Sequence, residues 1–129
     1  MAISRTRAIA GSVATGSTTS ITLPSAPASG QVAVLQISVN SGTSARVSSI
    51  SQSGVTWTKH VEAYNGPGSI GIETWVGVVG SEAGTVITIN FATSLANVAH
   101  YAEYSGVDTT SPVVATGSSI DDSGLGAPL

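Results

Sequence analysis

IGIETWVGVVGSEAGTVITINFATSLANVAHYAEYSGVD, residues 70–108, decides the fold class of this chain. It reads as three strands, over 70–79, 85–91 and 98–104, each rich in β-branched residues and bounded by turn-forming ones. Gly80-Ser81-Glu82-Ala83-Gly84 joins the first two, and residues 92–97 join the second to the third. Ser105-Gly106-Val107-Asp108 closes the third. In the first strand Ile70, Ile72, Thr74, Val76 and Val78 share one face, and Glu73, Trp75 and Val79 share the other. Both faces carry bulk, so the strand is expected to be central. Gly71 and Gly77 leave room for the Trp75 indole or a neighbouring backbone. The simplest arrangement is a meander with further strands laid against it.

Working outward, residues 5–15 read as an edge strand or extended arm, and Gly16-Ser17 as a turn. Residues 18–23 alternate, with Thr19, Ile21 and Leu23 on one face. Pro24 and Pro27 lie in a loop that ends at Gly30. Residues 31–39 form the most hydrophobic early strand, with Ala33, Leu35, Ile37 and Val39 aligned. A short strand over 46–51 turns Val47 inward, and 55–61 alternates with Val55, Trp57, Lys59 and Val61 on one face. Asn65-Gly66-Pro67-Gly68 is the strongest turn signal, and a last strand is expected over 113–116. No stretch has the 3.6-residue period of a helix. The expectation is an all-β, antiparallel β-sandwich, jelly-roll-like, of about eight strands. Its divisions are a strand or arm over 1–15, the sandwich over 16–117 and a flexible Gly/Ser-rich tail over 118–129.

Composition narrows the function. Charged residues are only 9 %, against roughly a quarter in an ordinary globular protein. Serine and threonine fill the polar positions, and aromatics are only 5 %, so the core rests on Val, Ile, Leu and Ala. A surface of hydroxyls and small apolar groups suits a packed assembly. The basic residues are Arg5, Arg7, Arg46 and Lys59 alone, too few and too scattered to track nucleic-acid phosphates. The absence of cysteine excludes disulfides and thiol chemistry. No apolar run approaches a membrane span. No apolar segment of the signal-peptide kind follows Met1, so with Met1 as the natural start, synthesis without export by the general secretory route is expected.

Each candidate for chemistry has a structural alternative that outweighs it. Glu73 and Glu103 would make a carboxylate pair of the glycosidase kind if their strands adjoin, but glutamates on strands are more often solvated or bonded to Ser/Thr neighbours. His60 and His100 belong to no ligand-spaced motif, and His100 fits an exposed sheet face or a subunit contact. No G-x-S-x-G nucleophile turn occurs. Asp108, Asp121 and Asp122 lack calcium-loop spacing, and Asp108 fits a turn whose carboxylate accepts backbone N–H groups near Thr109 and Thr110. Tyr64, Trp75, Tyr101 and Tyr104 would form an aromatic platform for sugar stacking or an interface, against core packing as the commoner use. No catalytic residue, cofactor or metal ligand is assigned.

Residues 54–58 (GVTWT), 72–79 (IETWVGVV), 84–89 (GTVITI) and 102–108 (AEYSGVD) together resemble a recurrent family of β-sandwich modules. Such modules occur in bacteriophage structural proteins and in large bacterial surface proteins. The resemblance covers most of 6–116, with no catalytic motif. Family members continue past the Glu-Tyr-Ser-Gly-Val-Asp turn with further strands, whereas this chain ends soon after it. Either the module is minimal here or another subunit completes the sheet by strand exchange. The resemblance implies a non-enzymatic structural role in a virion, as a capsid decoration, head-fibre or tail protein. The expected partners are further copies of the chain or other virion proteins, with no nucleic acid and no membrane. The alternatives are an extracellular filament subunit joined by donor strands, and a carbohydrate-binding or adhesion module at a cell surface.

Overall fold

The computed structural model describes residues 2–113 and 116. The expected strand over 113–116 lies mostly outside them, and the tail with Asp121 and Asp122 lies wholly outside. Six strands form, and no helix occurs among the described residues: β1 (Ser4–Thr22), β2 (Val32–Val39), β3 (Val47–Ser51), β4 (Val55–Asn65), β5 (Ile70–Val79) and β6 (Val86–Ser105). All pairings are antiparallel. The all-β antiparallel class read from the sequence is therefore the class that forms.

The number and order of strands differ from expectation for one reason. The segment over 5–15 and the strand over 18–23 join into β1, and the strands over 85–91 and 98–104 join into β6. β1 and β6 pair along almost their whole lengths, from Ser4 with Ser105 to Thr22 with Val86. At Gly16 and Thr18 the register jumps from Leu95 to Asn90, so the segment between them in β6 bulges out. The expected turns at 16–17 and 92–97 are this irregularity inside a continuous ladder. Ladder hydrogen bonds on both sides of it hold the chain extended through residues that would otherwise turn.

The hydrogen bonds link all six strands into one sheet, in the order β1-β6-β2-β5-β4, with β3 pairing the start of β6. The first half of β6 lies between the end of β1 and β3. Its second half lies between the start of β1 and β2. Ile21, Leu23, Val47, Ile87, Ile89 and Phe91 from the shorter part share one core with Leu35, Ile37, Val39, Ala99 and Tyr101 from the longer part.

The 70–108 segment is thus not a meander. β5 pairs with β2 and β4, and β2 separates it from β6. The link after β5 delivers the chain to β3 and the end of β1, and β6 reaches β2 only after its bulge. Gly54, at φ 69°, allows the turn into β4 to pass against this link, where a Cβ would lie 2.8 Å from the Ala83 Cα.

Register fixes which face of each strand points inward. Ala33, Leu35, Ile37 and Val39 are buried, as expected. In β5 Gly71, Glu73, Gly77 and Val79 are buried on the inner face and Val76 on the other, while Ile70 and Ile72 are exposed. In β4 the ladder skips His60, so Val55, Trp57 and Lys59 share a face with Glu62 and Tyr64 rather than with Val61.

Candidate functional site

Among the described residues five polar or charged ones are buried: Thr19, Gln52, Glu73, Asn97 and Glu103. Unpaired carboxylates at such depth cost several kcal/mol each, so their partners decide what they are for. Glu73 is 1 % exposed. Its Oε2 accepts the Tyr64 hydroxyl and, at 2.9 Å, the Val47 N–H; its Oε1 accepts Trp75 Nε1 at 3.1 Å. The Lys59 ammonium lies 3.8 Å from Oε1 and donates at 2.7 Å to Glu62. The Tyr64 hydroxyl also accepts the Arg46 N–H at 3.1 Å. One carboxylate therefore ties β3, β4 and β5 together.

Glu103, 3 % exposed, forms the second cluster. Its Oε1 accepts Arg7 through Nε at 3.0 Å and also through Nη2, together with the Tyr101 hydroxyl at 2.6 Å. Arg7 Nη1 reaches Ser25 Oγ at 3.1 Å. A third contact crosses the bulge, where the Thr19 hydroxyl donates to Asn97 Oδ1 at 2.8 Å.

The electrostatics follow from this geometry. Burial, and then the hydrogen bond to Glu73, holds the Tyr64 hydroxyl protonated well above its ordinary range. Tyr101 is held in the same way by burial and Glu103. The hydrogen bond to Glu62 raises the Lys59 pKa, opposed by partial burial and helped by the charge of Glu73.

The expectation of solvated glutamates is overturned: the inner face buries both and satisfies them with phenol, indole, guanidinium and backbone donors. Nor do they pair. They face Ile37 and Ala33 from opposite sides of β2, four residues apart along it. That places their Cα atoms roughly 16 Å apart, beyond either glycosidase spacing. His60 and His100 lie on strands three steps apart, at least about 14 Å across the sheet. Asp108 behaves as expected, with Oδ1 accepting the Thr110 N–H at 2.8 Å.

The aromatic platform does not assemble. Tyr64 and Trp75 gather round Glu73, Tyr101 is buried against Glu103, and Tyr104 alone points to the opposite face. Tyr101 and Tyr104 stand three apart on a strand, an odd spacing that separates them. Sequence reasoning missed Arg7 as a partner. The available signal was the spacing of Glu73 with Trp75 and of Tyr101 with Glu103, each two apart and so on one face.

The remaining candidate is an edge. The half of β1 from Ser4 to Gly16 borders the sheet and pairs with β6 alone among the described residues. It carries no proline, lysine or acidic residue. Comparison of the chain with protein-family models, curated proteins and solved structures finds no match.

Proposed function

We propose that this chain is a non-enzymatic structural module of a virion, a capsid decoration, head-fibre or tail protein that assembles through its sheet edges and apolar surface. The observation that carries this reading is the first half of β1. It joins the rest of the fold through a register break at Gly16 and makes its ladder with one strand only. A neighbouring copy's arm would supply the same ladder and the same Arg7 to Glu103 contact, so exchange costs little in contacts. Low charge and a surface rich in hydroxyls support close packing of copies. Arm exchange would serve an extracellular donor-strand filament equally well, and electron microscopy of the assembly separates a filament from a closed virion part.

Truncating the arm is a poor test, because losing Arg7 strands Glu103 in the interior. Crosslinking is a better one. Ala8 and Ala102 face each other in the ladder, within the Cα spacing that a disulfide spans, and the chain has no cysteine of its own. In the Ala8→Cys/Ala102→Cys variant, oxidised after assembly, exchanged arms give covalent multimers on a non-reducing gel. An assembly whose crosslinks all lie within single chains rules out exchange. A chain that stays monomeric at high concentration, by light scattering, rules out self-assembly.

A further inference from the structure

The outer face of the sheet carries a depression of about 350 Å³ where β1, β6 and β2 run side by side. Its floor is one row across three strands, in which Ala102 pairs with Ala8 on one side and Val34 on the other. These small side chains leave the hollow. Tyr104 stands one same-face step along β6, and His100 one step the other way, beside its register partner Gln36. Gln36 and His100 are exposed and Tyr104 is half-buried. No Asp, Glu, Lys or Arg lines the hollow.

We infer that this depression is a binding site for a neutral sugar ring. Its volume is at the small end of ligand sites, enough for one or two rings. A charged ligand would lose hydration against this uncharged lining, and Arg5, which pairs with Tyr104 in the ladder, stands beyond it. The ring of Tyr104 and the Ala/Val floor offer apolar area to the C–H face of a sugar, and the phenol offers a polar tip. The Gln36 amide gives a donor and an acceptor side by side, and the imidazole of His100 adds another hydrogen-bonding group. A flat apolar face with hydroxyls around its edge is the ligand shape that matches. Tyr101 also borders the hollow but is buried with its hydroxyl on Glu103, so Tyr104 is the member of the sequence-predicted aromatic set that fits this role. Gln36 and His100 join it through strand pairing.

Ala8 lies on the arm, and a chain's own arm or a neighbour's supplies it alike, so the site can be tested whichever arrangement holds. The probes are the methyl glycosides of glucose, galactose and N-acetylglucosamine, titrated into the labelled protein and followed by amide chemical shifts. Glucuronate serves as a charged control and indole as an apolar one. The expected result is saturable shifts at Gln36, Ala102 and Tyr104 with at least one neutral glycoside. The Kd is expected at about 1–10 mM, as befits a small open site. Tyr104→Ala weakens that binding about tenfold or more, while Tyr104→Phe, which keeps the ring, retains most of it. Circular dichroism checks that both variants keep the fold, and Gln36→Ala supplies a second arm should Tyr104→Ala not fold. The inference is overturned if no neutral glycoside gives saturable shifts, if glucuronate or indole binds as well, or if the shifts survive both alanine variants.

Discussion

The Glu103 side chain is buried inside the sheet, where Arg7, from the far end of the sequence, covers it. Arg7→Ala removes the counter-charge and leaves a buried carboxylate with a phenol as its remaining partner. Losing one member of such a pair costs about 3–5 kcal/mol. Glu62→Ala breaks the contact to Lys59, where both side chains are about a third exposed, and costs less than about 1 kcal/mol. Urea denaturation of the two variants should show this contrast, and equal losses would mean that burial does not set the scale. The pH dependence has a definite sign. Lys59, Tyr64 and Tyr101 all hold their protons more tightly in the folded chain. Their contribution to stability is complete below the unfolded values, near pH 10, and is lost as pH rises beyond them. The urea midpoint is therefore expected to fall from about pH 10 upward. Phenolate absorbance from Tyr64 and Tyr101 should appear only with unfolding. Phenylalanine variants at these positions identify the two signals.

At the scale of the strand, β5 and β4 fit through two glycines. A Cβ at Gly71 would run into the Tyr64 ring, and one at Gly77 would lie 2.9 Å from Trp57 Cδ2 and 2.8 Å from Val55 Cγ1. Both rings come from β4. Gly71→Ala and Gly77→Ala are each expected to cost about 1–3 kcal/mol through overpacking. Gly66→Ala, with nothing within 4 Å of its Cβ, is expected to change stability by less than about 0.5 kcal/mol. Thermal or urea melts of the three check this ordering. The sequence signals that β5 needs space at these positions, yet it points to Trp75 or a backbone as the occupant. Tyr64 faces inward only because the ladder skips His60, and one skipped residue reverses every later side chain on the strand. Alternation alone does not locate such a skip. β2, which has no such skip, has the inner face that alternation predicts.

For the molecule as a whole, the decisive event is the placement of the last strand. β6 enters between β1 and β2, pairing residues as far apart as Ser4 and Ser105. This places the two glutamates on opposite sides of β2 and makes the start of β1 an edge. It also brings Ala8, Ala102 and Val34 into the row that forms the outer hollow. The three polar contacts from Glu73, Glu103 and Asn97 hold the ends of the sheet to a common core, each joining residues distant in sequence. A core poor in aromatics gains specificity from such satisfied contacts, since a slipped register would leave a charge unpaired.

The amino-acid sequence by itself determines the all-β class, most strand positions, the Asn65 and Asp108 turns and the inward faces of β2 and of the first half of β6. These depend on neighbours within a few residues, where side-chain period and turn chemistry act directly. Only the tertiary structure decides that two pairs of expected strands are continuous, that β5 and β6 are separated, and that Glu73 and Glu103 are buried and apart. Those outcomes depend on which strand lies beside which. That choice is made by the shared core and by donors arriving from distant parts of the chain, which no local pattern records. The 70–108 segment thus supplies both carboxylates and three of the four aromatics, and its partners on β1, β2 and β4 give them their roles.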